Sequence, residues 1–182
     1  MKTLVVVDCQ NDFISGSLAC LKGQEAIDNI VEYIEKNKVN PVYTMDWHSK
    51  NNKSFKVNGG IWPIHCLENT YGAELSQKFL KLSEDKRPNS QNTYKKGLND
   101  DIEEYSAFNG ENAEGQKLHE IQTEEFIVCG IASEYCVRET VLELLKTGKK
   151  VSLLKNCLAY VNEEDHRKNL EDLKEKVEIK WR

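Results

Sequence analysis

The chain has 182 residues, a formal net charge of −5 and 30% charged residues, with acidic and basic side chains interspersed. This length suits one domain with a substantial core, spanning residues 1–182. The mild charge argues against nucleic acid as a partner and against a basic membrane-binding face. No apolar run approaches the roughly 20 residues that span a bilayer, and Asp8 interrupts the N-terminal apolar run where a signal peptide would continue.

The six cysteines, at positions 9, 20, 66, 129, 136 and 157, form no C-x-x-C pair and show no regular spacing. In a chain of this size the pattern fits free thiols in a reducing cytoplasm better than a disulfide framework. Cys129 and Cys157 lie in or beside apolar strand patterns, and we expect them to be inert core residues.

The first half of the chain predicts a strand at 2–8, a helix at 24–37 and a second strand at 42–47. The first strand is a continuous apolar run, which is typical of a buried parallel strand. Ile27, Ile30 and Ile34 recur at helical spacing. A long irregular stretch follows at about 48–73, and such loops are usually functional. A helix near 73–83 and a third strand around 92–96 complete this half.

The second half predicts a short helix near 113–120, a strand at 125–129 and a helix at 134–147. A strand at 151–154, a charged helix at 163–174 and a strand at 177–181 follow. This alternation predicts an α/β fold: a three-layer α/β/α arrangement around a mostly parallel, roughly six-stranded, Rossmann-like sheet.

Four reactive residues, Asp8, Asp46, Lys96 and Cys136, fall at or just past the carboxyl ends of predicted strands, where ligands of such sheets gather. Cys136 lies in the first turn of a predicted helix, where the helix dipole favours a nucleophilic thiolate. Asp8 can take the thiol proton and return it to a leaving amine. Lys96 would hold both groups ionised; Lys95 is the neighbouring alternative, on the opposite face. The backbone N–H groups of Ala132 and Cys136 are the expected oxyanion hole.

Four segments, in chain order, resemble nicotinamidases and the wider isochorismatase-like cysteine hydrolases. The segments are Asp8-Cys9-Gln10-Asn11-Asp12-Phe13, Asp46-Trp47-His48 with Trp62-Pro63-Ile64-His65-Cys66, Lys96-Gly97 with Tyr105-Ser106-Ala107-Phe108, and Gly130-Ile131-Ala132-Ser133-Glu134-Tyr135-Cys136-Val137. The resemblance implies the isochorismatase-like hydrolase fold and the same roles for Asp8, Lys96 and Cys136. It also implies a cis peptide bond between Ile131 and Ala132. The implied activity is hydrolysis of nicotinamide to nicotinate and ammonia through a Cys136 thioester, in NAD salvage.

The resemblance extends to a metal site made by Asp46, His48 and His65. Asp46 and His48 are two residues apart, so on an extended segment both side chains project to the same side. Two imidazoles and a carboxylate suit one divalent ion, with zinc favoured and manganese or iron as alternatives. The other two histidines, His119 and His166, lie in charged segments and are expected to be exposed.

The chain departs from the family pattern at Asn52, where many nicotinamidases have a further histidine. An asparagine oxygen is a weaker ligand, so we expect looser metal binding, with Asn52 touching the ion directly or through water. Ala107 stands where many members have glycine and could narrow the pocket.

Substrate selection is assigned to Phe13, Trp62 and Tyr105, because a flat heteroaromatic ring stacks well between aromatic side chains. The partner expected is therefore a small molecule, nicotinamide, and the sequence leaves homo-oligomerisation open. One alternative is a related cysteine amidase acting on another small amide, carbamoyl or ureido compound. A vinyl-ether hydrolase, a non-catalytic zinc or redox protein using Cys66, and a papain-like hydrolase using His166 are further alternatives.

Overall fold

The computed structural model describes residues 1–181; Arg182, the last residue of the predicted domain, lies outside the described residues. A six-stranded sheet forms the centre, with strands in the order β3-β2-β1-β4-β5-β6 and every neighbouring pair parallel. The strands are Lys2–Val7 (β1), Asn40–Asp46 (β2), Thr93–Lys96 (β3), Glu125–Gly130 (β4), Lys150–Leu158 (β5) and Glu178–Lys180 (β6).

Helices cover both faces of this sheet, which confirms the predicted α/β/α architecture. They are Asn11–Ile14 (α1), Gly23–Lys36 (α2), Arg138–Leu144 (α3) and Glu163–Leu173 (α4). Successive residues of β1 point to opposite faces, so Leu4 and Val6 join one core with α2, while Val5 and Val7 join another with α3 and α4. No helix among residues 1–181 is both long and apolar enough to cross a lipid bilayer.

The predicted helix at 73–83 is wrong, because residues 71–86 form three short 3-10 turns: Tyr71–Ala73, Gln77–Lys81 and Glu84–Lys86. Leu75 lies between the first two turns and pairs as extended backbone with Gln10, which interrupts any continuous helix. The predicted helix at 113–120 shrinks for a similar reason to the turn Leu118–Glu120, since Glu111 pairs with both Lys95 and Lys117.

The predicted helix at 134–147 is present, but it begins as a π-helical turn, Ser133–Val137, before α3 and ends in a 3-10 turn, Leu145–Thr147. π-Turns are rare and frequently mark functional sites. Gly148 ends the helix with a φ of +73°.

The strand order places a topological switch point between β1 and β4. The chain builds β2 and β3 outward from one side of β1, and β4, β5 and β6 outward from the other. Ligands of open parallel sheets bind in the crevice at such a point, beyond the carboxyl ends of the strands.

Candidate active site

The four predicted reactive residues meet at this crevice. Asp8 directly follows β1, while Asp46 and Lys96 end β2 and β3 and are register partners in the sheet. Cys136 lies in the turn after β4. All four side chains are buried, with exposed fractions between 0% and 6%. The fold therefore brings into one place groups that are up to 128 residues apart in sequence.

The Lys96 ammonium group lies at the centre of this cluster. Its Nζ is 3.0 Å from Asp8 Oδ2 and 3.6 Å from Cys136 Sγ, and it forms an ion pair with Asp46 Oδ1. Lys95 points away from the cluster and places its Nζ 3.6 Å from the centre of the Trp47 ring. Strand alternation thus gives only Lys96 to the site.

The Asp8 carboxylate is fixed by the neighbouring strand. Its Oδ1 accepts a hydrogen bond of 2.6 Å from the Thr44 hydroxyl, and the Thr44 oxygen in turn accepts the Asp8 N–H at 3.1 Å. Oδ2 receives no hydrogen bond from the described residues, although the Lys96 charge lies beside it. Asp8, Asp46 and Cys136 each present one atom within 4.8 Å of the others, a separation that allows a carboxylate oxygen of Asp8 to exchange a proton with the thiol directly or through one water molecule.

The charges do not support the predicted ready thiolate at Cys136. Burial raises the pKa of the Cys136 thiol well above its usual value; Lys96 opposes this, but the Asp8 and Asp46 carboxylates raise it further. Burial also raises the pKa of Asp8 against the effect of Lys96. These shifts favour the protonated Cys136 thiol over the thiolate. Its ionisation therefore has to be coupled to proton transfer toward Asp8.

The turn that carries Cys136 contains the cis peptide bond Ile131–Ala132 that the resemblance implied. The Ala132 carbonyl accepts the N–H groups of both Tyr135 and Val137 at 3.1 Å, but it does not accept the N–H of Cys136, which lies between them in sequence. Within residues 1–181, the Ala132 N–H has no acceptor. The N–H groups of Ala132 and Cys136 are the predicted oxyanion donors.

Gly130 permits this turn to leave β4 close against β1. Its φ is +116°, and a Cβ atom there would meet the Val7 carbonyl oxygen at 2.1 Å. A side chain at this position is therefore excluded by backbone, not by a movable group.

Asp46, His48 and His65 also come together, with one ligand atom each within 4.8 Å of the others. Asp46 Oδ2 is 3.5 Å from His48 Nε2 and 4.0 Å from His65 Nε2. Each ring places its other nitrogen against a backbone carbonyl, His48 Nδ1 at 3.0 Å from Gly97 O and His65 Nδ1 at 2.8 Å from Pro63 O. Donation to those carbonyls leaves both Nε2 atoms free as ligands, the usual arrangement behind metal-bound histidine.

Asn52 and Ser54 are two further buried side chains, and both line the cavity that contains Asp46 and the two histidines. Asn52 lies on the Nδ1 side of His48, away from Asp46. Its amide Nδ2 is 3.1 Å from that nitrogen and donates to the Gly97 carbonyl at 3.4 Å, and its oxygen accepts the Ser54 N–H at 2.9 Å. Asn52 therefore shares the Gly97 carbonyl with His48, and a direct or water-mediated contact of its oxygen with an ion stays a prediction. The Ser54 hydroxyl is buried and lacks a hydrogen-bond partner among the described residues, which indicates space for a polar ligand beside the Asp–His–His set.

Sequence reasoning assigned no role to Gln10 or Asp12, yet both hold the metal-binding segments. The Gln10 side chain accepts the Asp46 N–H at 2.8 Å and donates to the Asp46 carbonyl at 2.7 Å. Asp12 Oδ2 accepts the N–H of Cys66 at 2.7 Å, next to His65. The position of these polar residues close to the end of a buried strand could have revealed their roles, since buried polar groups require hydrogen-bond partners.

The predicted substrate-binding aromatics, Phe13, Trp62 and Tyr105, all line the cavity that contains Cys136 and the two histidines. Tyr135, which sequence reasoning did not assign, lies between two of them, with its ring centre 5.1 Å from Trp62 and 5.6 Å from Tyr105. The walls can therefore enclose a flat ring next to the thiol.

His119 and His166 are only partly exposed, so the expectation of solvent-exposed rings is wrong. His119 stacks on Phe108, and His166 stacks on Tyr160 with its Nδ1 2.7 Å from Ser133 Oγ. The hydrogen bond of His166 to Ser133 argues against the papain-like alternative. Cys66 belongs to no potential metal-binding group within residues 1–181, which removes the main support for the zinc or redox alternative.

Comparison with known proteins agrees with this geometry. Residues 2–179 match the family model of the isochorismatase domain. The nicotinamidase of Saccharomyces cerevisiae is 33% identical over 85% of this chain and 86% of that protein.

Two solved structures superpose over the whole chain. The pyrazinamidase of Pyrococcus horikoshii in complex with zinc has a TM-score of 0.85 and 37% identity, covering 100% of this chain and 99% of that one. A protein of L. infantum in complex with nicotinate has a TM-score of 0.85 and 30% identity, covering 100% and 92%. The family match over residues 2–179, together with the shared fold, shows that this chain belongs to the isochorismatase family.

Proposed function

We propose that this protein hydrolyses the carboxamide of nicotinamide to give nicotinate and ammonia, a step in NAD salvage, within one domain of residues 1–182. The observation that carries the proposal is the Lys96–Asp46 ion pair, which joins a thiol–carboxylate pair to an Asp–His–His set inside one aromatic cavity. The nicotinamidase relative and the nicotinate complex of a structural neighbour support the same substrate class.

Acylation begins with transfer of the Cys136 thiol proton to Asp8 while Sγ attacks the amide carbon. The carbonyl π electrons move to the oxygen, and the N–H groups of Ala132 and Cys136 stabilise that negative charge. When the tetrahedral adduct collapses, the C–N bond breaks and Asp8 returns its proton to the nitrogen, which leaves as ammonia. Lys96 stays protonated throughout, because the Asp46 and Asp8 carboxylates outweigh burial and raise its pKa well above the usual value.

Deacylation runs the same groups in reverse order. Asp8 accepts a proton from water as the water oxygen attacks the thioester carbon, and the C–S bond breaks with the proton returning to sulfur. The products are the free Cys136 thiol and nicotinic acid, which releases its carboxyl proton to solvent and leaves as nicotinate. One buried carboxylate thus serves both half-reactions.

Binding of the pyridine ring is assigned to Phe13, Trp62 and Tyr105, with Tyr135 as an added wall. Aromatic stacking contributes about 0.5–1.5 kcal/mol per pair beyond area burial. An aliphatic amide would gain less stacking energy from these aromatic side chains, so the cavity favours nicotinamide.

We also assign one divalent metal ion, zinc first, to Asp46, His48 and His65. The donor set fits: burial raises the pKa of Asp46, but Lys96 and His48 outweigh it and hold that carboxylate ionised, as a ligand must be. When bound, such an ion supplies open coordination positions that a pyridine nitrogen or water can occupy. The zinc complex of the P. horikoshii neighbour supports this choice of metal.

The cytoplasm is the compartment we assign, because all six cysteines are free thiols and none lies in a disulfide. The number of subunits is left open.

The decisive experiment is an ammonia-release assay of the purified protein with nicotinamide, with and without a chelator, beside elemental analysis. Cys136→Ala should abolish ammonia release while it preserves the thermal unfolding temperature. An aliphatic amide and a ureido compound serve as competing substrates. Faster turnover of the ureido compound, or full activity of Cys136→Ala, would contradict the proposal.

A further inference from the structure

Helix α4 contributes no side chain to the catalytic cavity among the described residues, yet it holds the turn that carries Cys136. The Glu134 carboxylate accepts the N–H groups of Val161 and Asn162, both at 2.8 Å, just before α4 begins. Asn162 in turn caps α4 by accepting the N–H groups of Glu164 and Asp165. The turn and the start of this helix therefore form one hydrogen-bonded unit.

Ser133 lies at the centre of the contact between the turn and α4, immediately after Ala132. It is fully buried, and its N–H donates to the Ala159 carbonyl at 2.8 Å. Its carbonyl accepts from Asn169 Nδ2 at 2.7 Å. Its hydroxyl oxygen lies 3.2 Å from that same Nδ2 and 2.7 Å from His166 Nδ1.

The hydrogen-bond directions follow from the neighbours. The Asn169 oxygen accepts from Arg138 Nη1 at 2.8 Å, which leaves Nδ2 as the donor toward Ser133. The Ser133 oxygen is thus an acceptor for Asn169. Among the described residues, His166 Nδ1 is the one acceptor within hydrogen-bond distance of this buried hydroxyl, so its single hydrogen is directed to that nitrogen. His166 can accept it only as the neutral ring that carries its proton on Nε2.

The surroundings of His166 favour that neutral ring. Its imidazole is half-buried and stacks on Tyr160 with ring centres 4.3 Å apart. Burial lowers the pKa of His166, and the charges of Lys155 and Lys22 lower it further against the opposing Glu163.

We propose that His166 is a positioning residue for the oxyanion hole: by accepting the Ser133 hydroxyl hydrogen, it fixes the turn that presents the Ala132 and Cys136 N–H groups. The proposal rests on the proposed amide hydrolysis and adds a residue to it. A misplacement near 1 Å at such donors can cost on the order of a hundredfold in rate. His166 does not line the cavity that contains Cys136, so we expect its effect in the transition state and not in ground-state binding.

The test compares His166→Leu, which removes the acceptor, with His166→Asn, whose Oδ1 can replace Nδ1. His166→Leu and Ser133→Ala should each lower kcat by about tenfold or more, while KM for nicotinamide stays within about twofold. His166→Asn should recover most of the rate. The double variant should lose little more than either single variant, since both remove the same hydrogen bond.

A second readout uses pyridine-3-carboxaldehyde, which adds the Cys136 S–H across its C=O bond and places the resulting oxygen at the same donors. Its affinity should fall in parallel with kcat, whereas nicotinate affinity should not change. His119→Leu is the matched control, because His119 is also half-buried and stacked on a ring but accepts nothing from the turn.

Unchanged kcat in His166→Leu, or equal weakening of aldehyde and nicotinate binding, would overturn the proposal. Should His166→Leu fail to fold, Ser133→Ala decides by the same criteria. A wild-type protein inactive on nicotinamide contradicts the proposed function alone, because the aldehyde comparison still tests His166.

Discussion

Lys96 and Asp46 are register partners on β3 and β2, and their side chains meet at the carboxyl edge of the sheet. Asp46 uses Oδ1 for the Lys96 ammonium group and turns Oδ2 toward His48 and His65. One carboxylate therefore links the two halves of the site: a change in the charge of Lys96 alters both the thiol–carboxylate pair and the basicity of a metal ligand.

Replacing Lys96 should be damaging for this reason. Lys96→Met keeps most of the volume but leaves Asp8 and Asp46 as adjacent buried carboxylates, so we expect a loss of roughly 10²-fold or more in turnover. Breaking a buried pair also costs about 3–5 kcal/mol in stability, so the melting temperature should fall. Steady-state ammonia release measures the first effect and thermal unfolding the second.

Lys95→Met is the matched control for that measurement. Lys95 is half-buried on the opposite face, over the Trp47 ring, and this variant should keep its activity within about twofold. Equal losses in both variants would mean that general destabilisation, and not the site charge, explains the result.

Asp8→Asn tests the proton transfer. The amide can keep the hydrogen bond with Thr44 but cannot accept the Cys136 proton, and general acid–base catalysis is worth roughly 10²–10⁴-fold. Turnover should fall by that factor, while binding of nicotinate, measured by calorimetry, stays similar. A loss smaller than tenfold would be incompatible with the role of Asp8 in both half-reactions.

The sheet and the clustered residues were predictable because strand ends carry their own signal. An apolar run that stops at a charged residue locates both the strand and the group that it presents, as at Asp8 and Asp46. The hydrogen bonds that orient those groups, such as the contact of His48 with Gly97 or of Ser133 with His166, join segments that are distant in sequence. No period or spacing encodes those contacts. The direction of the Cys136 pKa shift could not be derived from the sequence for a related reason, since burial depends on the complete fold.

Gly97 is expected to be essential for metal binding. Its φ is +71°, and a Cβ atom would lie 2.4 Å from His48 Cε1 and 2.8 Å from its Nδ1. Gly97→Ala should therefore displace the imidazole and remove its contact with the Gly97 carbonyl, which lowers metal affinity by roughly 10–100-fold. Competition with a chromogenic chelator measures this affinity without reference to activity.

Gly115→Ala is the control for Gly97→Ala, because Gly115 also has a positive φ, +76°, but a Cβ atom there meets nothing within 4 Å. It should cost some stability and leave metal affinity unchanged. Zinc binding by Gly97→Ala as tight as in the wild type would show that the loop relaxes away from His48.

The last prediction concerns acid stability and lies at the opposite end of the sheet. Glu125 begins β4 and is 3% exposed. It accepts a hydrogen bond from Ser152 at 2.8 Å, pairs with Lys180 and lies 3.3 Å from Lys2 Nζ. Burial raises the pKa of Glu125, but the bonds from Lys180 and Ser152 and the nearby lysine charges outweigh it and lower the pKa to about 2.

A carboxylate with a folded pKa below its unfolded value stabilises the protein above the unfolded pKa and loses that effect as pH falls. The Glu125 contribution should thus be complete above about pH 5 and disappear progressively between about pH 4.5 and 2. Glu125→Gln should cost roughly 1–3 kcal/mol at pH 7 and show a flatter dependence of unfolding free energy on pH in that acidic window. Urea unfolding at a series of pH values measures both. Glu178 is an exposed partner of Lys150 and Lys180 whose own pKa those lysines lower, so Glu178→Gln should flatten the acidic slope less than Glu125→Gln does. Identical slopes for Glu125→Gln and the wild type would exclude Glu125 as the titrating group.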